Sequence, residues 1–277
     1  MNGDSQIKGV PLLKWPGGKR LFLKHILPLL PESFNDYYEP FFGGGALFFA
    51  LEPRSAVLSD NNPDLMNCYR QVRDRCEEVI AALQEFKNTK EDYYRIRQTE
   101  PEEEVLRAAR FIYLLTLSFN GIYRVNLKGK FNVPYGYKTH LTPHDEKRIR
   151  RVSSKLASAE LRCADFEKAV ASATEGDLVY LDPPYTLSHQ NNGFLKYNSK
   201  IFSWKDQIRL SKVATDLANR GCKVIVSNAD HEAINQLYGD FKVETFQRAS
   251  VIAASSQYRR QMRECIFSGG GSDARKC

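Results

Sequence analysis

None of the six cysteines (Cys68, Cys76, Cys163, Cys222, Cys265, Cys277) stands in a C-x-x-C pair, so the sequence indicates neither a zinc cluster nor a disulfide framework. The histidines are few and scattered. His140 and His144 are four apart but straddle Pro143 and lack an evident third ligand, so no metal is expected. No stretch approaches the ~18 apolar residues of a membrane span, and residues 1–10 hold no apolar core of signal-peptide length. A soluble, cytoplasmic protein with reduced thiols and no membrane contact is expected. A phosphate-binding P-loop is missing too, because Gly18-Lys19 is followed by Arg20 and Leu13 stands where the first glycine belongs. The G-x-G-x-x-G fingerprint fails at Phe48, so a diphosphate ligand is not supported. There is no internal repeat and no low-complexity tract.

What is present is a basic chain of 277 residues, with 40 Lys and Arg against 33 Asp and Glu and a formal net charge of +7. That length accommodates one large α/β domain, or a domain with a sizeable insertion, and the charge favours a polyanionic partner.

Gly18 to Leu30 reads as a first helix, stopped at Pro31. Asp36 to Phe42 reads as a strand running into Gly43-Gly44-Gly45 and a short apolar helix to Leu51. Ala56 to Asp60 is a second short strand, and Asn62-Pro63 starts a helix. From about Asp64 to Ser158 helical patterns dominate, over Leu65–Val72, Cys76–Phe86, Asp92–Gln98, Glu102–Ser118 and Asp145–Leu156. They are interrupted by Asn120 to Tyr137, where β-formers surround Lys128-Gly129-Lys130 as in a hairpin with a basic tip. Strand and helix alternation then resumes, with strands at Leu161–Cys163, Leu178–Leu181 and Lys223–Ser227, helices from Phe166 and over Lys205–Asn219, and edge strands at Phe241–Phe246 and Arg263–Phe267. Residues 269–277 read as a disordered tail.

The buried run Leu178-Val179-Tyr180-Leu181 ends in Asp182-Pro183-Pro184-Tyr185. In open α/β sheets ligands bind at that end of a strand. Two prolines fix the turn and leave the Pro183 carbonyl free of strand pairing. Asp182 and that carbonyl would accept the two hydrogens of one exocyclic amino group while Tyr185 stacks on the ring bearing it. A Pro-terminated strand with a solvated Asp and a packed Tyr is the plain alternative.

The glycine turn lies between Glu39 and Asp60, an acid at the tip of the second strand suited to ribose hydroxyls. A nucleoside without phosphates fits this arrangement. S-adenosylmethionine is such a nucleoside, with a sulfonium that donates methyl groups to amines. A turn built only for tight packing is the alternative. Ser227-Asn228, closing a strand at the same sheet edge as Asp182, would shape a base pocket or simply cap the strand. Ser255, Ser256, Arg259 and Arg260 form a polar, basic loop, either a DNA contact or solvated.

Several ordered segments resemble the Dam-type DNA adenine-N6 methyltransferases. They are Lys14-Trp15-Pro16-Gly17-Gly18-Lys19, Glu39-Pro40-Phe41-Phe42-Gly43-Gly44-Gly45-Ala46, Ser59-Asp60-Asn61-Asn62-Pro63-Asp64-Leu65, Asn120-Gly121 through Arg124 and Asn126, Phe131-Asn132-Val133-Pro134, Asp165-Phe166 and the Asp182 tetrapeptide. The resemblance implies a mixed sheet of the S-adenosylmethionine-dependent, Rossmann-like α/β class with helices on both faces. Residues 1–63 and 159–268 would form this catalytic domain, and 64–158 an inserted, mostly helical DNA-recognition domain with a β-hairpin.

It further implies that Trp15, Gly17, Lys19, Glu39 and the Phe42, Gly43, Gly44, Gly45 turn line the cofactor pocket, that Asp60 holds the ribose, and that Asp165 with Phe166 holds the cofactor's adenine. Asp182, Pro183, Pro184 and Tyr185 would be the catalytic set, with Asp182 also bordering the cofactor. On the DNA side, Arg124 would read a guanine, Asn120 and Asn126 would support or contact the site, and Pro134 would touch a thymine methyl. Lys14, Lys128, Lys130 and Lys138 suit phosphate contacts, or else are solvated charges. Many relatives carry Arg-Tyr after the glycine matching Gly136, where this chain has Tyr137 and Lys138.

The function so implied is methylation of the N6 amino group of a flipped adenine in duplex DNA, within GATC. A monomer associated with the nucleoid is expected, and a cognate restriction endonuclease is a compatible partner. Transfer to cytosine N4, an RNA base or a protein glutamine are competing readings, as is a non-catalytic DNA-binding regulator.

Overall fold

The computed structural model of the chain describes residues 11–185, 202–249 and 261–271. Seven strands, β1 (Tyr37–Glu39), β2 (Ala56–Asp60), β3 (Ala159–Cys163), β4 (Leu178–Leu181), β5 (Lys223–Ala229), β6 (Lys242–Ala249) and β7 (Gln261–Gly269), form one mixed sheet in the order β3-β2-β1-β4-β5-β7-β6. β2 pairs parallel with β3, β1 with β4, and β4 with β5, whereas β7 runs antiparallel to both β5 and β6. All four residues of β4 are buried, as a strand flanked by parallel neighbours requires. The order reverses between β1 and β4. That reversal places their carboxyl ends, Glu39 and Asp182, at the position where open α/β sheets bind ligands.

By internal contacts the chain divides into two compact units, one of residues 1–23 and 42–165, the other of 24–41 and 166–277. The first contains β2, β3 and most of the helices: α2 (Ala46–Leu51), α3 (Pro63–Asp74), α4 (Cys76–Gln84), α5 (Lys90–Gln98), α6 (Glu104–Leu117) and α7 (Glu146–Leu156). α3 starts where Asn62 caps it, its side-chain oxygen accepting from the N–H groups of Asp64 (3.0 Å) and Leu65 (3.1 Å), with Pro63 at the first helical position. Its buried stripe Leu65, Cys68, Tyr69 and Val72 follows the helical period. Asn62→Ala should therefore lower stability by about 1 kcal/mol, read as a lower denaturation midpoint at unchanged slope.

The second unit contains β1, β4 to β7, α1 (Leu23–Ile26, whose first residue belongs to the other unit), α8 (Phe166–Ala169), α9 (Trp204–Asn219) and α10 (Glu232–Leu237). α9 begins in a capping box, Ser203 and Asp206 exchanging side-chain and backbone bonds. Tyr37, Tyr180, Tyr238 and Phe267 are among its largest buried side chains.

Three expectations change. Gly18 to Leu30 is not one helix: a 3₁₀ turn (Arg20–Phe22), α1 and a second 3₁₀ turn (Leu27–Leu29) follow one another, because Pro28 interrupts the hydrogen-bond ladder. The first strand is only Tyr37–Glu39, because Pro40 has no N–H to donate. The Asn120 to Tyr137 segment follows a hairpin path closed by two isolated antiparallel bridges, Ser118 to Tyr135 and Val125 to Phe131, rather than a continuous ladder. Left-handed backbone at Asn120 (φ 56°), Gly129 (φ 76°) and Tyr137 (φ 53°) breaks the pairing.

The strand before the tail reaches Gly269, and residues 272–277 lie outside the described residues. So do His189 and the Ser255, Ser256, Arg259, Arg260 loop. Among the described residues no helix is long and apolar enough to cross a membrane.

Candidate active site and nucleic-acid interface

In the first unit, β2 ends in Asp60, whose carboxylate is clamped from two sides. Gly43 donates its N–H to Oδ2 at 3.0 Å and Asn62 donates to Oδ1 at 2.9 Å. Burial raises the Asp60 carboxyl above its ordinary range, and the N–H bonds from Asn62 and Gly43 pull it back. The side chain nevertheless keeps some exposure, and each oxygen retains a second lone pair.

The turn itself is tightly packed. Gly43 has φ 47°, and a Cβ there would stand 2.7 Å from Trp15 Cδ1; at Gly45, φ 66°, one would meet the Phe42 ring at 2.5 Å. Trp15 in turn stacks on Tyr123, centroids 5.0 Å apart, so it joins the glycine turn to the base of the hairpin segment. Lys19 is buried and directs its ammonium at the Gly17 carbonyl, 3.3 Å away. Asp165 is partly exposed at the end of this unit.

The hairpin segment places the expected DNA-reading residues on its surface. Arg124 is exposed, with Nε donating to Asn132 Oδ1 at 2.8 Å and Nη2 at 3.5 Å from the Asn132 carbonyl oxygen, so Asn132 holds one side of the guanidinium. Asn126 shapes the tip: its side-chain oxygen accepts from the N–H groups of Lys128 (2.9 Å) and Lys130 (3.0 Å). The Lys128 side chain and the almost fully exposed Leu127 project from that tip. Pro134 is exposed, and its carbonyl accepts from Phe119 at 2.8 Å. Asn120 is exposed in left-handed backbone.

The lysines differ from one another. Lys14 is exposed, Lys130 pairs with Glu100 at 2.7 Å, and Lys138 donates to the Thr116 carbonyl at 2.9 Å. Burial, and then the Lys14 charge, hold the Lys138 ammonium below the ordinary lysine range. Tyr137 is exposed with its ring against Tyr135, centroids 5.0 Å apart.

In the second unit, Asp182 follows β4 beside a group of polar side chains at the carboxyl ends of β1, β4 and β5. Tyr37 donates to the buried Glu39 at 2.8 Å. Burial first, then the charge of Glu39 with smaller contributions from Tyr180 and Asp182, pushes the Tyr37 phenol well above its usual range. Burial and Asp182 do the same to Tyr180. In both, the surroundings favour the neutral phenol.

Tyr185 donates to Glu264 Oε2 at 3.2 Å, with Ser227 Oγ 3.4 Å from the same hydroxyl. Asn228 belongs to the interior instead, donating to Gln207 Oε1 at 3.0 Å and accepting from Ala229 at 2.9 Å. Of the Ser227-Asn228 pair, only Ser227 reaches the tetrapeptide. Phe166 stacks on Phe41, centroids 5.4 Å apart, and carries the Arg209 guanidinium 4.2 Å from its ring centre.

Sequence reasoning missed Tyr37, Tyr180, Glu264 and Asn132. The tyrosines read as strand-core residues, and Glu264 as one acid in an edge strand. Asn132 was noted only within a motif.

Chemically, this edge of the sheet offers carboxylate and carbonyl acceptors to an amino group, an aromatic face, and negative charge suited to a cation. The family model of the D12 class N6 adenine-specific DNA methyltransferases matches residues 15–252. The type II methyltransferase M1.LlaDCHI of Lactococcus lactis subsp. cremoris is 40% identical over 272 residues, covering 95% of this chain and 96% of the relative. The type II methyltransferase M.MjaIII of Methanocaldococcus jannaschii is 34% identical, covering 90% and 95%. The DNA adenine methylase of Escherichia coli K12 is 30% identical over 266 residues, covering 94% and 95%. With a fold of the kind the motifs implied and matches along nearly its whole length, this chain belongs to the D12 class of N6 adenine-specific DNA methyltransferases.

Proposed function

We propose that the methyl donor is S-adenosylmethionine, that the acceptor is an adenine flipped out of duplex DNA, and that the target sequence is GATC. The observation that carries this reading is the emergence of Asp182 from a fully buried strand at the point where the sheet order reverses. S-adenosylmethionine supplies, when bound, an electrophilic methyl group on a cationic sulfonium.

The donor set of this chain suits that group. Asp60 has lone pairs for a ribose diol after accepting from Gly43 and Asn62, and Glu39 and Asp182 bring negative charge. For the cofactor we also assign Trp15, Gly17, Lys19, Phe42, Gly43, Gly44, Gly45 and Asp165 of the first unit and Phe166 of the second, Asp165 and Phe166 for its adenine. Because the carboxylate is already oriented, Asp60→Asn should weaken donor binding only about five- to tenfold, the size of one impaired hydrogen bond. Equilibrium binding with the purified chain measures this, and undiminished affinity contradicts the ribose role.

Residues 64–158 serve recognition, and the remainder of 1–63 and 159–268 serves catalysis. Arg124 reads guanine in the major groove, Pro134 meets a thymine methyl, and Asn120 and Asn126 support the reading edge. Lys14, Lys128 and Lys138 serve the phosphate backbone, Lys128 most directly because its side chain projects from the tip. Flipping the target costs roughly a few kcal/mol, which these contacts offset.

Once the base is out, Asp182 and the Pro183 carbonyl accept the two N6 hydrogens, Pro184 fixes the turn, and Tyr185 stacks on the ring. Held in this way, the nitrogen lone pair would be localised and aligned for in-line attack on the methyl carbon, the N–C bond forming as the methyl–sulfur bond breaks to leave a neutral thioether, and one amino proton would pass to solvent afterwards. No covalent enzyme intermediate is required. The chain acts as a monomer in the cytoplasm, and a restriction endonuclease of the same specificity is its natural counterpart. Mass analysis of nucleosides from duplex DNA and RNA, and of peptides from protein, each incubated with the enzyme, tests the acceptor. N6-methyladenine from duplex DNA is the expected product, and N4-methylcytosine or methylglutamine would overturn the reading.

A further inference from the structure

Glu264 is a buried carboxylate with no role in the reading above. It is 2% exposed on β7, in register with Ala229 of β5 and Phe246 of β6. Burying a carboxylate between two strands is costly unless donors reach it. One donor is the Tyr185 hydroxyl, 3.2 Å from Oε2, and Ser227 Oγ approaches that hydroxyl at 3.4 Å. Tyr185 is thus held at both ends of its ring, by the Pro183-Pro184 turn at the backbone and by β7 and β5 at the hydroxyl.

We propose that Glu264 is a positioning residue for methyl transfer, holding the Tyr185 ring through its hydroxyl in the plane that stacks on the acceptor adenine. This rests on the assignment of Tyr185 as the stacking face. The Glu264 oxygen fixes the ring by accepting from its hydroxyl, a task that any acceptor oxygen at that point can share. Electron density pushed into the phenol also favours the positive charge that develops on the base as the methyl arrives.

The test is steady-state methylation of a duplex substrate by the full chain and by E264L, E264Q, Y185F and Y185F/E264L. E264L should lower kcat about tenfold, the size of one hydrogen bond to a charged group, with the KM for the methyl donor unchanged. E264Q, which keeps an acceptor oxygen, should recover most of the loss. Y185F should lose about as much as E264L, and the double variant no more than either single one. With 2-aminopurine at the target position, E264L should give a brighter complex, because the flipped base is less stacked.

Losses that multiply in the double variant, or E264L turnover equal to that of the parent chain, overturn the proposal. Should E264L fail to fold, Y185F decides, since it removes only a hydroxyl: activity equal to the parent overturns the proposal, and a tenfold loss with near-parent E264Q supports it. Asp182→Ala separates the two levels. Activity retained there removes the assigned catalytic site, whereas an inactive Asp182→Ala beside multiplying losses removes only the role of Glu264.

Discussion

Asp182→Ala is expected to reduce methyl transfer by on the order of 10³, the scale seen when one preorganised polar group is removed from a transition state. The adenine amino nitrogen is a poor nucleophile because its lone pair is delocalised into the ring. In the proposed mechanism Asp182 offsets this by accepting one of the two hydrogens from its position at the end of a strand whose residues are all buried. The hairpin segment is untouched by the change, so affinity for duplex DNA should persist. Single-turnover methyl incorporation beside a gel-shift titration separates the two effects. Methylation at the parent rate would remove Asp182 from the mechanism.

Arg124→Ala is expected to cost about 1–3 kcal/mol of discrimination at one guanine, the value of a bidentate contact. Asn132 accepts from the Arg124 Nε at 2.8 Å and lies 3.5 Å from Nη2 through its carbonyl, which restrains the guanidinium on an exposed side chain; bidentate reading of guanine O6 and N7 would use its remaining N–H groups. The loss should appear as a reduced ratio of cognate to singly substituted sites in kcat/KM, with random-sequence affinity nearly constant. Equal losses on cognate and random DNA would assign Arg124 to a phosphate instead. Lys138 offers a contrast: its amine is already engaged by the Thr116 carbonyl, so its removal should disturb the end of α6 as well as any backbone contact.

The elements that were legible are those governed by local chemistry. β2 and β4 were readable to the residue because each is a short apolar run bounded by turn formers, and α3 was readable because Asn62-Pro63 marks a helix start. The first helix was misread at Pro28, a local signal passed over in favour of the apolar periodicity around it. The hairpin was legible as a reversal of direction, but not in its pairing, because Asn120 and Tyr137 adopt left-handed backbone that neither residue type requires. The glycine turn reads in the sequence either as open to a ligand or as built for tight packing, without showing against what. Its three glycines also relieve contacts with Trp15, Leu13 and Phe42, a packing demand that only the folded chain reveals.

Within the site, Asp60 and Asp182 were findable as acids ending buried strands. Glu264 was not, because its meaning comes from a bond to a tyrosine 79 residues away, created by the insertion of β7 between β5 and β6. The same holds for Asn132. Its partner is eight residues distant, and its role follows from the turn that Asn126 closes.

Base-resolution mapping of modified positions shows whether this enzyme places its methyl group on the adenine N6 of GATC. The DNA should come from a host free of adenine methylation that expresses the chain. N6-methyladenine is expected at the adenine of GATC on both strands, and none when Asp182→Ala is expressed. Modification confined to another sequence would contradict the recognition assigned to the Asn120 to Pro134 segment, and N4-methylcytosine in its place would contradict the chemistry assigned to Asp182.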